Sequence, residues 1–205
     1  MKIDMKTKRI ILLAVLALTI GASASAQDFR FGIKAGVSGN WMKRTWLDIG
    51  DRVVPNIGFY GGVAGNIDLS DIMFAQAELL FARKGISTRS EILGKYSRNI
   101  SYIQLPLFVG FKLGSEDLRL MLGPEFGVCV GNKVVSDTYN PSSIGTVRPF
   151  NLAIAAQINY MITDELGIDF KVDMGLTRTM KDAAIQDRQD EGRNLSVQVG
   201  MCYFF

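Results

Sequence analysis

The chain has no histidine among its 205 residues. That absence excludes Ser-His-Asp hydrolases, His-activated surface proteases and His-ligated metal centres, together with lipid-A deacylases and acyltransferases that rely on a His base. Cysteine is scarce as well. Cys129 and Cys202 are too few for a disulfide framework. Their places in the period-two pattern put them toward opposite ends of their strands, beyond the Cα separation of about 7 Å that a bridge tolerates. Beyond residue 26 no apolar run approaches the about 20 residues of a spanning helix. Pro-rich or Ser-rich linkers, low-complexity blocks and heptads are also missing.

The N-terminus reads as a secretory signal. Lys2, Lys6, Lys8 and Arg9 precede the apolar run Ile10 to Ile20, and Ala24-Ser25-Ala26 offers a small-x-small cleavage site after Ala26. The run of eleven residues is too short for an anchor helix. Residues 1–26 carry four basic and one acidic residue; subtracted from 23 and 20, they leave 19 of each in residues 27–205. The net charge of +3 therefore belongs largely to the leader, and no nucleic-acid partner is expected.

What residues 27–205 do have is strict alternation. Eight segments repeat with period two: 29–39, 57–69, 73–84, 102–113, 118–130, 150–160, 166–176 and 195–205. In the fourth, Ile103, Leu105, Leu107, Val109, Phe111 and Leu113 oppose Tyr102, Gln104, Gly110 and Lys112. In the seventh, Leu166, Ile168, Phe170, Val172 and Met174 oppose Asp169, Lys171 and Asp173. Each segment suits the roughly 9–11 residues of a tilted membrane-crossing strand, and none shows helical spacing. The connections after the even segments are short, and those after the odd ones are long (40–56, 85–101, 131–149 and 177–193). Short inner turns and long outer loops are the outer-membrane arrangement. The expected fold is all-β, an eight-stranded antiparallel up-and-down transmembrane β-barrel occupying 27–205, with a soluble β-sandwich as the alternative.

Lipid cannot hydrogen-bond the backbone, so such strands must close on themselves. The inward positions then carry the charges: Arg30, Lys34, Lys84, Lys112, Arg119 and Lys171 against Asp68, Glu78, Glu125, Asp169 and Asp173. Near balance suits a confined interior, because an unpaired buried charge costs several kcal/mol. The set reads either as a satisfied plug or as an ion path or ligand cavity. Inward glycines such as Gly62, Gly110, Gly123 and Gly200 make room for long side chains. Pro106, on the inner face, and Pro124, on the lipid face, each lose a ladder donor, and a bulge is expected at each.

Asp169 and Asp173 are four residues apart on one strand, roughly 13 Å, too far for a glycosidase pair; Lys171 or basic residues on neighbouring strands are their expected partners. No nucleophile–base pair is visible, so neither an enzyme nor a cofactor is expected. Trp41 and Trp46 suit an interfacial aromatic belt. Arg89, Lys95 and Arg98 in the second long connection suit phosphate groups of lipopolysaccharide. The final segment, with Tyr203 and Phe205 on its apolar face, resembles the C-terminal signal that the barrel-assembly machinery reads.

The stretch Phe74-Ala-Gln-Ala-Glu-Leu-Leu-Phe-Ala-Arg-Lys-Gly85, followed by Tyr102-Ile-Gln-Leu-Pro-Leu-Phe-Val-Gly-Phe-Lys112, resembles the PorT-like family of outer-membrane β-barrel domain proteins. Glu78, Leu79, Phe81, Lys84, Gly85, Leu105 and Pro106 occupy that family's motif positions; Gly123-Pro124 and Phe31-Gly32-Ile33-Lys34-Ala35-Gly36 are also similar. The resemblance implies an eight-stranded, porin-like barrel of a Gram-negative outer membrane. One branch of the family serves protein secretion, and no residue here points to that branch. The sequence thus describes a monomeric barrel of structural or surface-interaction type, with a narrow solute channel or an accessory barrel of a secretion complex as alternatives. Its expected surroundings are outer-membrane lipid and lipopolysaccharide.

Overall fold

Alternation with a charged inner face leaves a strand only one stable arrangement in lipid, and the computed structural model shows it. The structure describes residues 29–43, 52–54, 56–90, 94–114, 117–136, 146–177, 180–181 and 193–205. The elements are β1 (Phe29–Lys43), β2 (Arg52–Val54), β3 (Asn56–Asp68), β4 (Met73–Ser90), β5 (Gly94–Leu113), β6 (Leu118–Ser136), β7 (Thr146–Val147), β8 (Phe150–Met161), β9 (Leu166–Gly175), β10 (Met180–Lys181) and β11 (Arg193–Phe204). Eight long strands pair antiparallel in the ring β3-β1-β11-β9-β8-β6-β5-β4, and the β3–β4 pairing closes it. The signal segment with Ala26, and Trp46, lie outside the described residues.

Burial is inverted relative to a soluble protein. Val37, Leu122, Ile154, Phe170 and Val199 are exposed, whereas Lys34, Lys84, Glu78, Lys171 and Asp173 are buried. A sandwich would bury the first set between its sheets. The inversion identifies the apolar rows as the lipid-facing exterior.

The strands outgrow their expected ends on one side. β4, β5 and β6 contain 18, 20 and 19 residues, against 10 in β9 and 12 in β8 and β11. The connection 85–101, expected as a loop, is mostly hairpin: Gly85 pairs Asn99 and Ser90 pairs Gly94. β2 adds to its edge through Arg52↔Arg89, while β6 covers the other side through Tyr96↔Ser136. Together they form a blade standing above the membrane. The alternation vanishes there, while the backbone ladder continues regardless. A smaller β7–β10 pair joins the third and fourth outer connections.

The prolines do not produce the expected bulges. Across Pro106 the β4–β5 ladder loses the pairs opposite Glu78 and Leu79, and across Pro124 the β5–β6 ladder loses those opposite Leu107 and Phe108; the register on both sides of each gap is unchanged. Each missing N–H removes local pairing without inserting a residue. The β5–β6 seam stays tight because Gly123 admits the Leu107 carbonyl, which a Cβ would meet at 1.8 Å. The register shift of that seam lies instead between Ser101 and Tyr102, where the blade leaves the barrel.

Candidate functional site

The lumen is the first place where chemistry-bearing side chains converge. β4 and β9 are four strands apart in either direction around the ring, and so face each other. From these opposite walls Lys84 Nζ donates to Asp173 Oδ1 at 2.7 Å. Lys84 also lies 3.4 Å from Glu125 Oε1, and Lys171 Nζ bonds Glu125 Oε2 at 2.9 Å. Gln104 donates to Glu125 and Gln198 Nε2 to Asp173 Oδ2, the latter at 3.1 Å. Nearer the inner leaflet, Lys34 Nζ bonds Glu78 Oε1 at 2.7 Å, lies 3.6 Å from Asp169 Oδ1, and reaches Gln157 Oε1 at 3.1 Å. Tyr60 donates its hydroxyl to Asp169 Oδ2 at 2.7 Å, and Gln76 donates to Glu78 at 2.6 Å. The ionic side chains of both groups are at most 2% exposed.

Three lysines thus meet four carboxylates, stitched by glutamines. Buried charges persist only with such partners, and neutral amides extend the hydrogen bonding of Glu78, Glu125 and Asp173, as the Tyr60 hydroxyl does for Asp169. The aspartates of β9 do not pair with Lys171, their same-strand neighbour. Asp169 meets Lys34 of β1, Asp173 meets Lys84 of β4, and Lys171 meets Glu125 of β6. Inward side chains of one strand are parallel, so their tips meet partners across the lumen.

The remaining predicted lumen charges sit at the periplasmic rim. Lys112 Nζ and Asp68 Oδ2 pair at 3.0 Å, partly exposed. Arg30 lies 5.7 Å over the Phe204 ring and donates to the Asp164 carbonyl. Arg119 lies 5.8 Å over the Phe74 ring. These arginines cover an apolar floor that the charge pattern did not reveal. Phe74, Phe108, Met121 and Ala155 form one buried cluster, and Ala64, Met161, Cys202 and Phe204 another. Parity alone would have found Phe74 and Met121, since both occupy inward positions beside the charges.

The other site residues divide by region. Tyr203 and Phe205 pack edge to face at 5.2 Å, and Phe205 stacks on Phe31 at 6.3 Å, where its amide also bonds the Phe31 carbonyl. Arg89, opposite Lys95, and Arg98, opposite Ile86, lie in the blade. Cys129 and Cys202 are both free thiols. Among the described residues, no group of three His, Cys, Asp or Glu side chains is placed to hold a metal ion.

A closed ring of eight antiparallel strands, lipid-facing outside and ionic within, defines an integral outer-membrane β-barrel. The chain belongs to the outer membrane protein beta-barrel domain family, whose model matches residues 24–181. The fold is similar to that of Neisserial surface protein A (NspA), with TM-score 0.54, 11% identity, and coverage of 85% of this chain and 97% of that one. It is also similar to OprG from Pseudomonas aeruginosa, with TM-score 0.51, 12% identity, and coverage of 87% and 96%. Ail, the attachment invasion locus protein of Yersinia pestis, aligns at TM-score 0.49 and 13% identity, covering 87% of this chain and all of that one. No curated protein matches the sequence. The protein is therefore located in a Gram-negative outer membrane.

Proposed function

We propose that this protein is a non-conducting, non-catalytic barrel that serves as a membrane scaffold for its outer surface. The observation that carries the reading is the 2.7 Å contact of Lys84 with Asp173 from opposite walls, above a floor of Phe74, Phe108 and Met121. An eight-stranded interior is just wide enough to be filled by side chains, and here ionic and apolar layers fill it in series. Binding surfaces on such scaffolds lie in the segments held outside the membrane, and the blade of β2, β4, β5 and β6 is the largest such segment described.

Within the family, the PorT-like resemblance rests on Glu78, Leu79, Phe81, Lys84, Gly85, Leu105 and Pro106. It adds a structural use for two of them, since Glu78 and Lys84 each anchor one of the two ionic groups.

Planar-bilayer recording of the purified, folded protein tests the proposal. A quiet baseline is expected. Steady unitary current steps would overturn it in favour of a narrow solute channel.

A further inference from the structure

The ionic group farther from the inner leaflet holds two lysines and two carboxylates: Lys84 of β4, Glu125 of β6, and Lys171 and Asp173 of β9. Lys84 Nζ lies 2.7 Å from Asp173 Oδ1 and 3.4 Å from Glu125 Oε1. An amine, a carboxyl group and a second carboxylate to carry protons are what amide formation requires. Hydrogen-bond contact with Oδ1 keeps Nζ near the roughly 3–3.5 Å from Cγ at which reacting atoms meet. Gln198 Nε2 holds the other oxygen of the aspartate, Oδ2, at 3.1 Å. Lys171 holds Glu125 through Oε2 at 2.9 Å, while Oε1 is turned to Lys84. All four ionic side chains are at most 2% exposed, so bulk water is kept from the pair and from any bond formed there.

We propose that Lys84 and Asp173 condense into an isopeptide bond, with Glu125 as the catalytic proton carrier. The ammonium first passes a proton along its hydrogen bond to Asp173 Oδ1. The freed amine attacks Cγ, and Glu125 Oε1 takes a second proton from Nζ. Gln198 donates to the negative charge that gathers on Oδ2. Glu125 then returns its proton to Oδ1, which leaves as water. The Nζ–Cγ bond replaces the Cγ–Oδ1 bond, one water is released, Glu125 is restored, and nothing is oxidised or reduced.

Charge and hydrogen bonding select this pair over the other. Condensing Lys34 with Glu78, also at 2.7 Å, would remove the lysine beside Asp169. Glu78 Oε2 is moreover buried without a donor among the described residues, so nothing there receives the charge of the attack. Condensing Lys84 with Asp173 removes one charge of each sign and leaves Lys171 and Glu125 paired. A neutral amide replaces a buried ion pair, which lessens the cost of keeping charge out of water. The product is a covalent strut across the lumen, from β4 to β9 on the opposite wall.

The test follows full-length protein refolded from inclusion bodies into detergent. Samples taken over time are denatured, weighed intact by mass spectrometry, and mapped as peptides. The unfolded starting material should carry its full sequence mass. The folded protein is expected to become lighter by one water and to yield a branched peptide joining residue 84 to residue 173. K84M should keep its full mass. E125Q should form the link about a hundredfold more slowly, with heat-modifiable gel mobility confirming that both variants fold. A folded wild-type protein that keeps its full mass overturns the proposal. So does a branch at a different pair of residues, or equal linkage rates in wild type and E125Q. Without the bond the ion pair still spans the lumen, so failure here leaves the non-conducting barrel standing.

Discussion

The ring of Phe74 occupies the space that a side chain on Gly110 would need. The two residues are cross-strand partners in β4 and β5, and a Cβ on Gly110 would meet three Phe74 ring atoms at 2.2–2.6 Å. The floor of the barrel is therefore built by a large residue filling the place left by a missing one. Gly110→Ala is expected to destabilise the folded barrel by about 1–3 kcal/mol through overpacking. Because the obstacle is a single ring, Phe74→Leu should restore much of that loss in the G110A/F74L double variant. Urea unfolding of the four proteins in vesicles measures the coupling, and strict additivity would contradict the contact.

The ionic layer makes a second prediction. Lys84→Ala strands Asp173 and part of Glu125 in a buried site and should cost about 3–5 kcal/mol. Replacing both ends of the opposite-wall pair, as in K84M/D173L, should cost less than Lys84→Ala alone, since no carboxylate is then left without its counter-ion at that point and Lys171 still serves Glu125. Comparative unfolding in lipid vesicles decides the order.

Phe170 tests which side faces lipid. It lies at the middle of β9 and is exposed, flanked along the strand by buried Asp169 and Lys171. Phe170→Arg should destabilise the inserted barrel by about 2–4 kcal/mol, as for a cation near the bilayer midplane. A soluble sandwich would instead lose a buried aromatic; near-wild-type stability in vesicles would argue against lipid contact at this position.

Phe205 separates assembly from stability. Its ring stacks on Phe31 and meets Tyr203 at the periplasmic margin, and it is 70% exposed, so its loss removes little buried area. Phe205→Ala is expected to refold in detergent with nearly wild-type stability yet to accumulate poorly in the outer membrane of cells. Equal losses in both assays would mean that the residue acts through packing alone.

Most of the barrel was legible because period-two alternation and lipid impose the same requirement on a strand. The positions of Lys34, Glu78, Lys84 and Asp173 follow from parity once the greasy face is assigned outward. Their partners do not follow, because pairing across the lumen depends on strand order and stagger, as Lys171 shows by reaching Glu125 rather than its neighbouring aspartates. The apolar floor escaped notice since Phe74 and Phe108 carry no charge to mark them as interior. The blade escaped because residues 85–101 lack alternation, although Ser87↔Ser97 and Arg89↔Lys95 continue the ladder. At Pro106 and Pro124 the local rule was right about a lost donor and wrong about an inserted residue.

Among the described residues the three longest strands, β4, β5 and β6, are neighbours, so the ladder that runs on past the apolar band belongs to one flank of the ring. Whatever approaches from the surroundings meets a different molecule depending on its compass bearing.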